Sequence, residues 1–207
     1  MKSFASFNTG VALKQYRIGI FKEVFRKSIH LCSALVPTFL AFSYWKVLSA
    51  LGVVLLAYCA SEYVRLRGIE VPVISKITAI AARKRDENKF VLGPVTLVIG
   101  IICASLLWKP EAARIGVYAL AFGDGFASLV GKLIGRVHIP FTNGKTAAGS
   151  LACFIAVFLS SFAVCHNCLV ALVLAVIATL VEVVPMTDFD NIIIPILIGG
   201  VAQWMLF

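Results

Sequence analysis

Apolar residues along this chain gather in long runs separated by short polar breaks. Seven runs, at 29–45, 47–64, 91–108, 115–134, 147–164, 168–185 and 192–207, each approach the roughly 20 residues that carry a helix across a bilayer. Turn signals divide them: Tyr44-Trp45-Lys46, Lys109-Pro110-Glu111, the stretch from Pro140 to Gly144, His166-Asn167, and Thr187 to Asn191. Two segments have a different pattern. Residues 11–27 carry Leu13, Tyr16, Ile20 and Val24 at helical spacing among Lys14, Arg17, Lys22 and Arg26. Residues 72–85 open on Pro72, suited to a first helical turn, and set Val73, Ile74, Ile77 and Ile80 against Lys76, Arg83, Lys84 and Arg85. Both read as basic amphipathic helices lying on an anionic membrane face. The pattern therefore predicts an all-α integral membrane protein of about seven transmembrane helices plus one or two short interfacial helices. It forms a single membrane-embedded domain over 1–207, with 1–27 as its basic N-terminal segment.

Composition supports this reading. Sixty per cent of the 207 residues are hydrophobic and 14% are charged, where a soluble domain carries about 25%. A soluble fold of this size cannot bury that much apolar side chain, which excludes a soluble enzyme, a nucleic-acid binder and a disordered chain. The net charge of +9 then reports orientation first. Sixteen basic residues fall on the N-terminal side of the expected spans and only Lys46, Lys109 and Arg114 on the other. The positive-inside rule places the N-terminus in the cytosol, and seven spans place the C-terminus outside. Residues 1–27 lack the pattern of a cleaved signal peptide. Four of the six cysteines lie within apolar runs, where they act as small hydrophobes. Cys165-His166-Asn167-Cys168 reads as loop residues, with a disulfide possible between the two thiols.

The remaining polar residues gather at the cytosolic face. Asp124 is the sharpest signal. It lies in Ala121-Phe122-Gly123-Asp124-Gly125-Phe126-Ala127, near the middle of the fourth run. A carboxylate at that depth costs several kcal/mol and needs a partner, a cation or water. A protonated Asp bonded to a neighbouring helix is the bland alternative. Its flanking glycines could break the helix and open backbone groups to a cavity. Ala119, Gly123, Ala127, Gly131 and Gly135 recur every four residues, a small-residue stripe on which another helix can approach closely; Ser128 shares the Asp124 edge. An Asn at 124 is expected to keep this packing, with stability held or raised.

Gly144-Lys145-Thr146-Ala147-Ala148-Gly149-Ser150 resembles a nucleotide loop at first sight, but Ile139 stands where that loop needs Gly and no strand precedes it. What survives is a helix N-terminus with free N–H groups, an ammonium and a hydroxyl, which suits a polyphosphate; a basic membrane flank with a Thr cap is the plainer reading. Loss of Lys145 is expected to remove a phosphate contact and bury nothing new. Glu182, Asp188, Asp190 and Asn191 supply hard oxygen ligands that, with Asp124, could hold Mg²⁺ against phosphates; a solvated turn capping the last helix is the alternative. His138 reads as a loop or interfacial residue.

Taken in order, Arg26-Lys27-x-x-His30, Phe122-Gly123-Asp124-Gly125-Phe126-Ala127 with Gly131 and Gly135, Lys145-Thr146-x-x-Gly149-Ser150, and Glu182 with Asp190-Asn191 and Pro195 resemble the polyprenol kinase family. That family includes dolichol kinase, phytol kinase and CTP-dependent diacylglycerol kinases, and is related more distantly to phosphatidate cytidylyltransferase. The resemblance implies a cytosolic CTP site, Mg²⁺, and phosphorylation of a lipid hydroxyl such as that of a polyisoprenol, phytol or diacylglycerol. On this reading the nucleotide phosphates meet Arg26, Lys27, His30, Lys145, Thr146, Gly149 and Ser150 of the matching motifs, with Gly144 at the helix mouth and Arg83 as a further cationic clamp. Asp124 and Asp190 become metal ligands or base, completed by Glu182 and Asn191. The short chain favours a compact, bacterial-type member in a plasma membrane. Two alternatives remain: a cytidylyltransferase making a CDP-lipid, and a small transporter, which would spread its ionisable groups along a pathway.

Overall fold

In the computed structural model of the protein, residues 2–69, 78, 80, 86, 89–142 and 144–207 are described, with side chains described from residue 17 onward. The described residues are helical apart from turns, loops and one isolated β-bridge, His138 with Thr146. Helix α1 spans Lys2–Ser33, α2 Val36–Phe42, α3 Tyr44–Leu66, α4 Gly93–Leu107 and α5 Pro110–Tyr118. A π segment, Ala119–Asp124, leads from α5 into α6, Gly125–Ile134. The remaining helices are α7 Ala147–Cys165, α8 Cys168–Val183 and α9 Asp190–Leu206.

Local chemistry sets several boundaries. Proline occupies the first turn of α2, α4 and α5, where its missing N–H costs nothing. Thr146 caps α7 by accepting from the Gly149 N–H at 3.1 Å, and Asn167 caps α8 through Leu169 and Val170. His166 sits between α7 and α8 in the left-handed region, φ 51°. Cys165 and Cys168 are free thiols flanking this turn, so the sequence there serves two helix ends rather than a disulfide.

Among the described residues, three helical stretches are long and apolar enough to cross a membrane: Tyr44–Leu66, Pro110–Ile134 and Ala147–Cys165. Gly93–Leu107, Cys168–Val183 and Asp190–Leu206 are shorter apolar helices. The expected first span, 29–45, is not one helix. Pro37 blocks continuation because it lacks an N–H and its ring clashes with the carbonyl four residues back, so the chain turns at Ala34-Leu35 and restarts as α2. Nor does a boundary fall at residue 27: α1 runs through it to Ser33. The expected interfacial helix at 72–85 lies outside the described residues except for Thr78 and Ile80.

Leu97, Ile101, Ile115, Leu120, Val157, Leu174, Ile194 and Ile198 form the buried core. The outside is apolar too: Val53, Leu56, Leu159, Leu180 and Trp204 are all well exposed. An apolar exterior on apolar helices is a mark of membrane association.

The small-residue stripe works as its spacing indicates. A Cβ at Gly149 would lie 2.7 Å from the Ala127 carbonyl oxygen, one at Gly131 2.9 Å from Thr146 Oγ1, and one at Gly123 2.8 Å from a Val157 methyl. The N-terminal half of α7 therefore lies directly against the π segment and α6. This contact brings the Gly144–Ser150 loop beside Asp124.

Candidate active site

Asp124 closes the π segment, and the helix passes through it unbroken. The flanking glycines thus do not open the chain as expected. A π turn widens the helix by one residue instead, a feature common at functional sites. Asp124 is only 6% exposed, and its Oδ2 accepts from the Nζ of Lys27, itself 2% exposed, on α1. His30 Nδ1, one turn further along α1, lies 3.3 Å from the same oxygen. The buried carboxylate therefore has a cation as partner, supplied from 97 residues away in sequence.

Lys145 precedes α7 and pairs with Glu182 Oε1, near the end of α8, at 3.0 Å. The other Glu182 oxygen is buried without a hydrogen-bond partner, as is Ser150 Oγ in the first turn of α7. Gly144, φ +88°, lets the loop turn back so that Ile139 N–H donates to the Lys145 carbonyl. Asp190 begins α9, and its Oδ1 accepts from the Asn191 N–H at 2.9 Å. Phe189 takes the N-cap position of α9 without a side-chain cap bond, so Asp190 is not the cap that the alternative reading offered. Asn191 does not cap: its amide donates to Thr96 Oγ1 at 3.0 Å and to the Gly93 carbonyl, tying α9 to α4.

These groups meet in a cavity of about 620 Å³. Of the residues expected at the site, Asp124, Lys145, Glu182, Asp190, Arg26, Lys27, Gly144, Thr146, Gly149 and Ser150 all line it. His30 and Asn191 do not; they line a narrow chamber of about 40 Å³ on the far side of Lys27 and Asp124. Arg83 lies outside the described residues. Asp188 lines the narrow chamber, and His138 the large cavity.

Sequence reasoning missed Glu23, which is buried on α1 and lines the large cavity. It binds Arg26 within α1 and Lys132 of α6 at 2.7 Å. Burial alone would push the Glu23 carboxyl up, but Arg26, Lys132 and Lys27 outweigh that and hold it below the ordinary glutamate range. A lone acid three residues before Arg26 and four before Lys27 was the available signal. Thr96 was missed as well; nothing in the sequence links it to Asn191. At the end of α3, buried Glu62 accepts from Arg65 and from the Val91 N–H at 2.9 Å, anchoring the start of α4 away from the cavity.

Among the described residues, no three His, Cys, Asp or Glu side chains converge as a ready-made metal cluster. Mg²⁺ does not require one: it keeps several waters and takes one or two carboxylates together with substrate phosphates. Two carboxylates on one cavity wall, Asp124 and Asp190, and the unpartnered Glu182 oxygen fit that demand.

Curated proteins similar to the chain point the same way. A chloroplastic probable phytol kinase 1 from Oryza sativa subsp. japonica is 29% identical over 159 residues, covering 68% of this chain and 50% of that protein. The chloroplastic farnesol kinase of Arabidopsis thaliana is 30% identical over 142 residues, covering 61% and 46%. A second rice protein, probable phytol kinase 2, is 27% identical over 224 aligned positions, covering 93% and 72%. The chain spans about half the length of the first two. No family model and no solved structure matches it. These relatives are plant chloroplast proteins and lend nothing to the expectation of a bacterial-type plasma membrane. By name these relatives are phytol and farnesol kinases, and the chain is similar to them over 61% to 93% of its length.

Proposed function

We propose that this chain is a membrane-embedded lipid-alcohol kinase, transferring the γ-phosphate of a nucleoside triphosphate to the hydroxyl of a prenyl-type alcohol. The observation that carries this is the 620 Å³ cavity, which has room for a nucleotide and sets a helix N-terminus, Lys145 and Ser150 opposite Asp124 and Asp190. The relatives' names, phytol and farnesol kinase, support an isoprenoid acceptor over diacylglycerol. CTP as donor rests on the family resemblance.

Lys145, the N–H groups at the start of α7 and Ser150 Oγ bind phosphates, with Arg26 as a further clamp. Asp124 and Asp190 would hold Mg²⁺, which when bound neutralises charge on the phosphates. The acceptor oxygen bonds to the γ-phosphorus as the bond to the bridging oxygen breaks, and the nucleoside diphosphate leaves. The hydroxyl proton passes to a carboxylate, Asp124 or Asp190. Catalysis of this kind is chiefly positioning and charge stabilisation.

The test is direct. Purified protein is given Mg²⁺, γ-labelled CTP or ATP, and phytol, farnesol, a polyisoprenol or diacylglycerol. Label in the alcohol supports the kinase. Label carried into lipid only from the cytidine moiety, with phosphatidate as acceptor, indicates the cytidylyltransferase chemistry instead.

Seven membrane crossings belong to the same proposal. Lys145 before α7, Glu182 at the end of α8 and Asp190 at the start of α9 lie at alternate ends of successive helices, yet all line one cavity, as an up-and-down arrangement requires. With the basic residues marking that end as cytosolic, the C-terminus lies on the opposite side. Tags at both termini, probed with protease in sealed vesicles, are expected to be cleaved from different sides; cleavage of both from one side overturns this topology.

A further inference from the structure

Two cavities of very different size share one wall. Arg26, Lys27, Asp124 and Asp190 line both. The large cavity is lined mostly by polar and charged residues. The narrow chamber continues from the shared wall between α1 and α4, past Ile29, Pro94 and Leu97, with His30 facing it. Helix α1 packs on α6 and the π segment, whereas α4 packs on α9, α5 and α3. The chamber lies between the two helices, with Ile29 and His30 of α1 on one side and Gly93, Pro94 and Leu97 of α4 on the other. Ile29, Gly93 and Pro94 along it are half-buried, and Val24 and Leu92 close by in sequence are exposed.

We infer that this chamber is the acceptor subsite: it receives the hydroxymethyl end of the lipid alcohol through the α1/α4 seam and presents it to Asp124 from the side opposite the nucleotide. The inference rests on the kinase reading above and adds where the acceptor binds. Size separates the two substrates. A volume of about 40 Å³ admits a CH₂–OH group and excludes any nucleotide, while 620 Å³ is far larger than a hydroxyl needs. Chemistry agrees. Apolar side chains of Ile29, Pro94 and Leu97 suit the first carbons of a chain, and the inner end offers the hydroxyl two partners, the Asp124 carboxylate and the His30 imidazole. The shared wall would bring alcohol and phosphate together at Asp124, one of the four side chains that both cavities reach.

The test pairs binding with kinetics. A farnesol analogue carrying a diazirine beside its hydroxyl-bearing carbon is photolysed with the full-length protein in lipid nanodiscs, and the labelled peptides are mapped. Label on α1 and α4 around 29 and 94–97, competed by farnesol, supports the subsite; label confined to residues 127–150 overturns it. Because this readout needs no turnover, it separates failure of the subsite from failure of the kinase reading, which is judged by transfer in the wild-type protein. For kinetics, Ile29→Trp fills a half-buried position and is expected to raise the KM for farnesol at least tenfold while the nucleotide Kd stays within about twofold. Ile29→Ala, which cannot crowd the core, is expected to admit a branched secondary alcohol that the wild type refuses. An unchanged farnesol KM in Ile29→Trp, or an unchanged acceptor range in Ile29→Ala, counts against the subsite.

Discussion

Asp124→Asn is expected to lower phosphoryl transfer at least about a thousandfold, the scale associated with loss of a general base or a key electrostatic group. It is also expected to lower the melting temperature. The second half reverses the reading from sequence alone, in which removing an intramembrane charge leaves stability intact or improved. The reason is Lys27. Its ammonium is 2% exposed and donates to Asp124, so an amide at 124 leaves a buried cation without its counter-charge. Breaking one side of a buried ion pair costs about 3–5 kcal/mol. A second substitution separates fold from chemistry. Lys27→Met in the Asp124→Asn background replaces the stranded ammonium with an apolar chain of similar length, and is expected to recover most of the lost melting temperature and none of the turnover. Near-normal turnover in Asp124→Asn would remove this residue from the site. An unaltered melting temperature would mean that its pairing with Lys27 does not support the fold.

Loss of Lys145 is the second large effect. A hydrogen bond to a charged group contributes about 1.5–3 kcal/mol, so Lys145→Ala is expected to weaken nucleotide binding by roughly ten- to a hundredfold. Here too the structure changes the reasoning. Lys145 holds Glu182 Oε1, and the other Glu182 oxygen already lacks a partner. Its removal therefore strands a buried carboxylate, and some loss of stability accompanies the loss of affinity. Adding Glu182→Gln should restore the melting temperature while affinity stays low. Titration of CTP into the folded variants, followed by intrinsic fluorescence or calorimetry, reads both quantities. A Lys145→Ala protein that binds nucleotide as the wild type does would exclude the helix mouth as the phosphate site.

Much of the site's membership was legible in the sequence because polar groups are scarce in apolar spans. Asp124, Lys145, Glu182 and Asp190 stand out for that reason, and all four line one cavity. The stripe from Gly123 to Gly135 was legible for a related reason: small residues every four positions leave few uses besides close helix packing. Pairing was not legible. Helical spacing fixes the face a residue occupies, but not which distant helix meets it, so Lys27 with Asp124 and Asn191 with Thr96 emerge only from the packed bundle. The π turn before Asp124 was hidden too, since one extra residue per turn leaves hydrophobic periodicity over so short a segment nearly unchanged. The broken first span was visible in principle: Pro37 is in the sequence, but the apolar run across it is continuous, and hydropathy alone passes over it.

The described wall of the large cavity carries four fixed cations, Arg26, Lys27, Lys132 and Lys145, and four fixed anions, Glu23, Asp124, Glu182 and Asp190. The protein as a whole is strongly basic, yet this recess is charge-balanced. On the proposed function, a triphosphate would not be drawn in by surplus positive potential; it would take cations already engaged with acids, trading one contact for another. At the Lys27–Asp124 pair, buried on both sides, such an exchange would respond less to ionic strength than binding to an open basic patch, because a contact between buried partners is poorly screened. It also favours a nucleotide that arrives with its own counter-charge, since each carboxylate released by a departing lysine then has a cation to meet.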